Sequence, residues 1–375
     1  MHRRPVSRWG FPVYGFPMSM PILRIAALLG YVLFACAPAA AQERAVIGVA
    51  APLSGSSARL GEEIVNGAKQ AGDGLANIAT ADTECSPEGG EAAARLFAQA
   101  QARVVVGFLC TESLLSALPI LTEAGIPVLD VGVRANRITD ERAKTGHLVW
   151  RLAPRSDAEA RAIAETIVQR WRNQPFGLIE DGSIANRGLV DTVRRLVADQ
   201  GLEPATSDNF RPAEEKQFGL ARRLARTGVT RFFIGGDRPD IAVIARDGGE
   251  LGLDLEIIGG ESLLDETSVD QPLTEGVLAL APPYRYALPA AEGAEDTALS
   301  GYGGIAYAAV ETAIAAISDA STSGRSLKDI LDQKSFETVI GSVDFDENGD
   351  AKAVTYRPLR WTGEDFVPDT GASGQ

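Results

Sequence analysis

Histidine and cysteine are scarce in this chain: two histidines and three cysteines among 375 residues. Beyond residue 41 only His147, Cys85 and Cys110 remain. A zinc centre or a Ser–His–Asp triad would have to be built around that single imidazole, which argues against both and leaves carboxylates as the available acid–base groups. Long apolar runs are missing as well. The stretch 25–34 (IAALLGYVLF) is about half of the ~20 residues that a membrane-spanning helix needs. Cations are outnumbered, 36 Lys and Arg against 50 Asp and Glu, for a formal net charge of −14. Such a surface repels phosphate backbones and anionic membranes, so nucleic acid is not an expected partner. There is no low-complexity tract.

What stands at the amino end reads as an export signal over residues 1–41. Arg24 supplies positive charge, 25–34 the apolar region and Ala39-Ala40-Ala41 a small-residue cleavage site. The Arg- and Pro-rich residues before it have no periodicity, and initiation at Met18 or Met20 would give a signal of ordinary length. Leu33-Phe34-Ala35-Cys36 loosely resembles a lipoprotein cleavage site, but the Phe fits poorly, and a mature chain starting near Gln42 is the expectation. Removing 1–41 takes away Arg3, Arg4, Arg8 and Arg24 and no acid, moving the net charge from −14 to −18. An exported protein reaches an oxidising compartment, where two thiols are expected to be bridged rather than catalytic.

Beyond residue 44, short aliphatic runs alternate with amphipathic stretches up to about residue 262. Expected strands lie at 46–50, 76–80, 103–108, 128–130 and 147–152, then at 176–179, 231–234 and 255–258. Helices are expected from near 61, then at 88–101, 112–124, 156–171, 187–200, 214–227 and 239–251. Ser156 followed by Glu159 has the spacing of a capping box. Two successive strand–helix series predict an α/β fold with two parallel sheets, each covered by helices on both faces. A small-residue helix over 296–320 (Gly301, Gly303, Gly304, Ala308, Ala309) invites close packing, and the segments 341–345 and 352–356 follow as strands. Asp344, Asp346, Asn348 and Gly349 match the opening of a calcium loop. Thr355 stands where its bidentate Glu belongs, so Asn348-Gly349 is read as a hairpin turn and no metal is expected.

Several segments carry a family resemblance by their order and spacing. They are 47–55 (IGVAAPLSG), 82–87 (DTECSP), 105–111 (VVGFLCT), 124–129 (AGIPVL), 258–261 (IGGE) and 343–350 (VDFDENGD). The chain resembles the type I periplasmic substrate-binding proteins of ABC transporters, in the leucine/isoleucine/valine-binding branch, from about Arg44 to Pro368. That resemblance implies two lobes, 44–153 with 283–345 and 154–282 with 346–370, joined by three crossover segments with the ligand cleft between them. It implies a disulfide between Cys85 and Cys110, worth about 3–4 kcal/mol on the chain-entropy model. It also implies a monomer that takes a small-molecule ligand, delivers it to a membrane permease in the periplasm, and needs no cofactor.

The resemblance places candidate ligand contacts at Ser54, Leu60, Thr111, Gly132, Val133, Arg134, Ala185, Asp237 and Glu261. In amino-acid binders of this kind first-lobe N–H and hydroxyl groups hold the α-carboxylate, and a second-lobe acid holds the α-ammonium. Thr111 keeps a hydroxyl, Gly132 suits close backbone approach to a ligand, and Glu261 falls on the ammonium-binding acid. Leu60, Ala185 and Asp237 replace family tyrosines, and Arg134 replaces a threonine, which makes the cleft more polar than a leucine pocket. Arg134 has two readings: a bidentate partner for a ligand carboxylate, or an internal pair with Asp130, Glu112 or Asp237. The expected ligand is an amino acid or a related amine- or amide-containing carboxylate. A sensor component on the same fold is the alternative. An enzyme working through Glu112, Asp181, Asp237 and Glu261 lacks any nucleophile, metal or phosphate motif.

Overall fold

Valine-rich runs build the first sheet. Its strands are β1 (Val46–Ala51), β2 (Asn77–Asp82), β3 (Val104–Gly107), β4 (Val128–Asp130) and β5 (Val149–Arg151), all parallel, in the order β2-β1-β3-β4-β5. The computed structural model describes residues 10, 12, 14, 15, 44–264, 272–288, 298–352 and 355–369. The expected signal motifs, Met18, Met20, Cys36 and the start at Gln42 lie outside the described residues. Between the strands run helices α1 (Ala58–Gly72), α2 (Pro87–Gln99) and α3 (Thr111–Glu123) and two single turns, α4 (Arg137–Asp140) and α5 (Arg142–Thr145). Val104, Val105 and Val106 are fully buried, as expected for a strand covered on both faces.

The second series is α6 (Ala158–Trp171), β6 (Gly177–Glu180), α7 (Ile184–Asp199), β7 (Thr206–Asn209), α8 (Phe218–Thr227), β8 (Arg231–Gly235), α9 (Arg238–Glu250) and β9 (Glu256–Gly259). A 3-10 turn (Glu261–Leu264) and β10 (Leu278–Ala281) follow. The chain then returns to the first lobe with β11 (Arg285–Ala287), β12 (Ala298–Ser300), α10 (Gly301–Ser323), α11 (Leu327–Gln333), β13 (Phe336–Thr338) and β14 (Gly341–Val343). It ends with β15 (Arg357–Trp361) and β16 (Phe366–Pro368) antiparallel on the second sheet, whose order is β16-β15-β10-β9-β8-β6-β7.

Each sheet buries two apolar faces. Ile47, Val49 and Val106 face α1 and α10, where Gly303 lies against Gly67 as the small-residue composition predicts. Val105, Val128 and Val149 face Phe97 of α2 and Leu114 and Leu118 of α3. In the second sheet the faces alternate residue by residue. Ile179, Phe232 and Ile257 pack toward α8 and α9, while Leu178, Phe233 and Ile258 pack toward α6 and α7. Each such fully buried side chain contributes about 1.5–3 kcal/mol. Cys85 and Cys110 are bridged, with Cα atoms 5.2 Å apart across 25 residues.

The chain passes between the sheets three times, after β5, after β10 and after β14. Arg151, fully buried at the end of β5, donates from Nε to Asp350 Oδ1 (2.7 Å), from Nη1 to the Ala135 carbonyl (2.8 Å) and from Nη2 to Thr139 Oγ1 (2.7 Å). Arg155 reaches Asp350 Oδ2 at 2.7 Å and Asp140 Oδ1 at 2.8 Å. The first and third crossings are therefore tied through one carboxylate.

Two local readings of the sequence are corrected here. The turn around Asp346–Asp350, placed by sequence in the second lobe, runs beside β5: the Arg151 N–H donates to the Gly349 carbonyl (2.8 Å) and the Ala351 N–H to the Arg151 carbonyl (2.8 Å). Asp346 Oδ1 accepts from the N–H groups of Asn348 and Asp350, both at 2.9 Å, so this carboxylate closes the turn. Among the described residues no group of three or more His, Cys, Asp or Glu could hold a metal ion. The expected capping box is also not formed. Helix α6 starts at Ala158 behind Asp157, with no side-chain cap, and the Ser156 hydroxyl donates to Asn136 Oδ1 at 3.1 Å. Glu159 turns elsewhere.

Candidate functional site

Three of the segments that follow parallel strands or cross between sheets converge on one charged cluster. Arg134 lies four residues beyond β4, Glu261 opens the 3-10 turn two residues beyond β9, and Tyr356 ends the third crossing just before β15. Arg134 Nη1 donates to Glu261 Oε1 and, at 3.0 Å, to the Tyr356 hydroxyl. That hydroxyl donates to Glu261 Oε2 at 2.8 Å. Glu159, in the first turn of α6, accepts the Glu261 backbone N–H on Oε1 at 2.8 Å. It lies so close to the backbone of Gly260 that a Cβ there would collide with Oε1. Strand C-terminal ends of both sheets thus supply facing groups, the usual position for a ligand crevice in open α/β sheets.

The electrostatics follow from burial and from this pairing. Burial opposes the charge of Arg134, but Tyr356 and Glu261 beside it hold the guanidinium more firmly protonated than usual. Burial pushes the Tyr356 phenol up, and the same cause raises that of Tyr302, which lies close enough to feel Arg134 and Glu261. Glu159 is pushed up to about 7, first by burial and then by the Glu261 charge, against the N–H bond it accepts and the opposing pull of Arg134. Arg134 and Glu261 each keep about a third of their side-chain surface exposed (31% and 33%), and Nε and Nη2 of Arg134 have no hydrogen-bond partner among the described residues. The cluster offers donors on one side and a carboxyl group with limited compensation on the other.

The expected site residues divide accordingly. Arg134 and Glu261 are brought into contact. Arg134 does pair internally, but with Glu261 and not with Asp130, Glu112 or Asp237. The backbone N–H groups of Gly132 (3.2 Å) and Val133 (2.9 Å) are turned inward onto Asp130 Oδ1, so they are not free to meet a ligand. The glycine is needed for a close approach inside the lobe, since a Cβ at Gly132 would meet the Phe108 carbonyl oxygen at 2.8 Å. Asp130 itself is fully buried and pushed up to about 7, chiefly by that burial, and its Oδ2 has no partner among the described residues.

Ser54 and Leu60 are exposed at the start of the first lobe, and Thr111 is half-buried at the start of α3. Ala185 is exposed in the first turn of α7 and Asp237 is exposed before α9. Among the described residues no hydrogen bond or ion pair links these five to the cluster. The four carboxylates considered for acid–base work do not assemble either. Glu112 is exposed on α3, and Asp181 is held by the Ser183 N–H and the Asn186 amide, both at 2.8 Å. Tyr356, Tyr302 and Glu159 were not singled out from sequence as site residues. Tyr356 and Tyr302 carry no motif, and the spacing of Glu159 from Ser156 reads as a helix cap.

The model of the periplasmic binding protein family matches residues 45–365. The chain belongs to this family. Its fold is shared with type I substrate-binding proteins, and the relatives it matches are named as amino acid-binding proteins rather than enzymes. A leucine-, isoleucine-, valine-, threonine- and alanine-binding protein of Pseudomonas aeruginosa is 25% identical over 290 residues, covering 75% of this chain and 77% of that one. The fold is shared with an ABC-transporter substrate-binding protein of Desulfitobacterium hafniense in complex with Leu. That likeness has a TM-score of 0.62 and 20% identity, over 87% of this chain and 100% of the other. It is shared also with a solute-binding protein of R. palustris in complex with 4-hydroxybenzoate, with TM-score 0.59 and 14% identity, over 87% and 95%.

Proposed function

We propose that this protein is the extracytoplasmic solute-binding component of an ABC importer. It captures a small carboxylate-bearing solute of the amino-acid type between its two lobes and presents the closed form to the permease. The observation that carries this reading is the Arg134–Glu261 pair, which puts opposite charges from the two lobes face to face at the strand ends. A guanidinium with open Nε and Nη2 suits a ligand carboxylate, bound bidentately with a charge-assisted contact. The lobes proposed to close are 44–153 with 283–345, carrying the turn at 346–352 on β5, and 154–282 with the remaining tail. Leu60, Ala185 and Asp237 supply no aromatic wall, which favours a polar solute over a leucine-like one. Export to the periplasm and action as a monomer complete the proposal, and the acidic surface argues against nucleic acid as a partner.

Mass spectrometry of compounds released from the purified protein, followed by a thermal-shift screen of amino acids, amides and small carboxylates, tests it. A ligand at 100 times its dissociation constant stabilises by about 2.7 kcal/mol. No released compound and no stabilisation by any of these classes would contradict the proposal.

A further inference from the structure

We infer that Glu159, rather than Glu261, takes the cationic end of an amine-bearing ligand in this cleft. The inference rests on the solute-binding reading above and goes further by assigning the residue that selects amines. Glu261 is already satisfied: Oε1 by Arg134 and Oε2 by the Tyr356 hydroxyl, so an incoming ammonium would have to displace a hydrogen-bonded guanidinium. Glu159 is in the opposite condition. Its Oε1 accepts one backbone N–H, its Oε2 has no partner among the described residues, and no cationic side chain bonds to it.

The position is built, since the missing side chain of Gly260 is what lets the carboxyl lie against the backbone that ends β9. The groups that face it are Arg134 from the loop after β4, Glu261 from the turn after β9 and Tyr356 from the third crossing. Of these only Arg134 is positive, and its contacts go to Glu261 and Tyr356. A half-buried carboxyl short of a counter-charge is destabilised as an anion, and a ligand ammonium supplies the missing charge. On binding, the O–H of the protonated fraction of Glu159 gives its proton to solvent, and the carboxylate left behind pairs with the ammonium.

Titration calorimetry provides the test, using L-leucine, L-threonine, L-alanine and L-glutamate beside the amine-free 4-methylpentanoate, propanoate, glutarate and 4-hydroxybenzoate. Near pH 7, amine binding to the wild-type protein should release a fraction of a proton, read as a binding heat that changes with the ionisation heat of the buffer. Glu159→Gln keeps the acceptor for the Glu261 N–H. It should weaken the amino acid about tenfold or more, abolish the proton release, and leave the amine-free acids unaffected. If Glu261→Gln removes amine selectivity while Glu159→Gln does not, the assignment is overturned. Binding of amine-free acids alone overturns it too but leaves the solute-binding reading in place, whereas binding of none of these compounds counts against both.

Discussion

Two of the arginine–carboxylate clusters that join distant parts of this chain differ in how completely they are satisfied. Arg151 is fully buried and each of its guanidinium nitrogens donates a hydrogen bond; its partner Asp350 is shared with Arg155. Arg134 is a third exposed and uses one nitrogen, Nη1, for both of its bonds. The first arrangement leaves nothing for a ligand and fixes the crossings between lobes. The second leaves donors open and can exchange partners. Burial with full satisfaction marks a joint, and partial satisfaction leaves donors for the ligand proposed here.

Breaking the first cluster should have the largest effect. Asp350→Ala leaves a buried guanidinium without its carboxylate, and removing one partner of a buried pair costs about 3–5 kcal/mol, read as a drop in denaturation midpoint. The matching change Arg134→Ala should alter stability by about 1 kcal/mol or less, since ion pairs that keep this much solvent contact contribute little, while ligand affinity falls. Equal destabilisation by both changes would erase the contrast.

The staple in the first lobe comes next. Reducing Cys85–Cys110 should lower stability by about 3 kcal/mol, measured by chemical denaturation with and without reductant. Non-reducing mass spectrometry that finds two alkylatable thiols would remove the bridge from the account.

The smallest expected effect is a pH dependence that separates the two clusters' neighbours. Glu159 and Asp130 are both pushed up from the ordinary carboxylate range to about 7, burial being the first cause in each. An acid whose folded pKa lies above its unfolded one binds more protons in the folded state. Stability from these groups is therefore full at low pH and is lost as pH rises through the acid range toward about 7. Glu159→Gln and Asp130→Asn should each flatten that decline, and only Glu159→Gln should also change the pH dependence of ligand binding. Melting temperatures taken from pH 5 to pH 8 check both.

The part of this molecule legible in its sequence is the part set by local pattern. Val104-Val105-Val106 and Phe232-Phe233-Ile234 announce buried strands, because a strand covered on both faces needs no polar side. β7 (Thr206–Asn209) was missed because it is a polar edge strand with alternating exposure. β15 and β16 were missed because Pro358 and Pro368 disguise an antiparallel edge. In the cluster, Glu261 and Arg134 are singled out by the family resemblance, which places each in a segment just beyond a strand. Tyr356 and Glu159 are not, because a crossing segment and a helix first turn meet them only in three dimensions. Gly132 was recognised as a place of close approach, but the approaching group is the Phe108 carbonyl within the same lobe.

The most direct measurement is a crystal structure of the protein purified with whatever solute it carries. The account predicts a small carboxylate between the lobes, within hydrogen-bond reach of Arg134 Nε or Nη2. An intact Arg134–Glu261 pair with the solute bound elsewhere would contradict it.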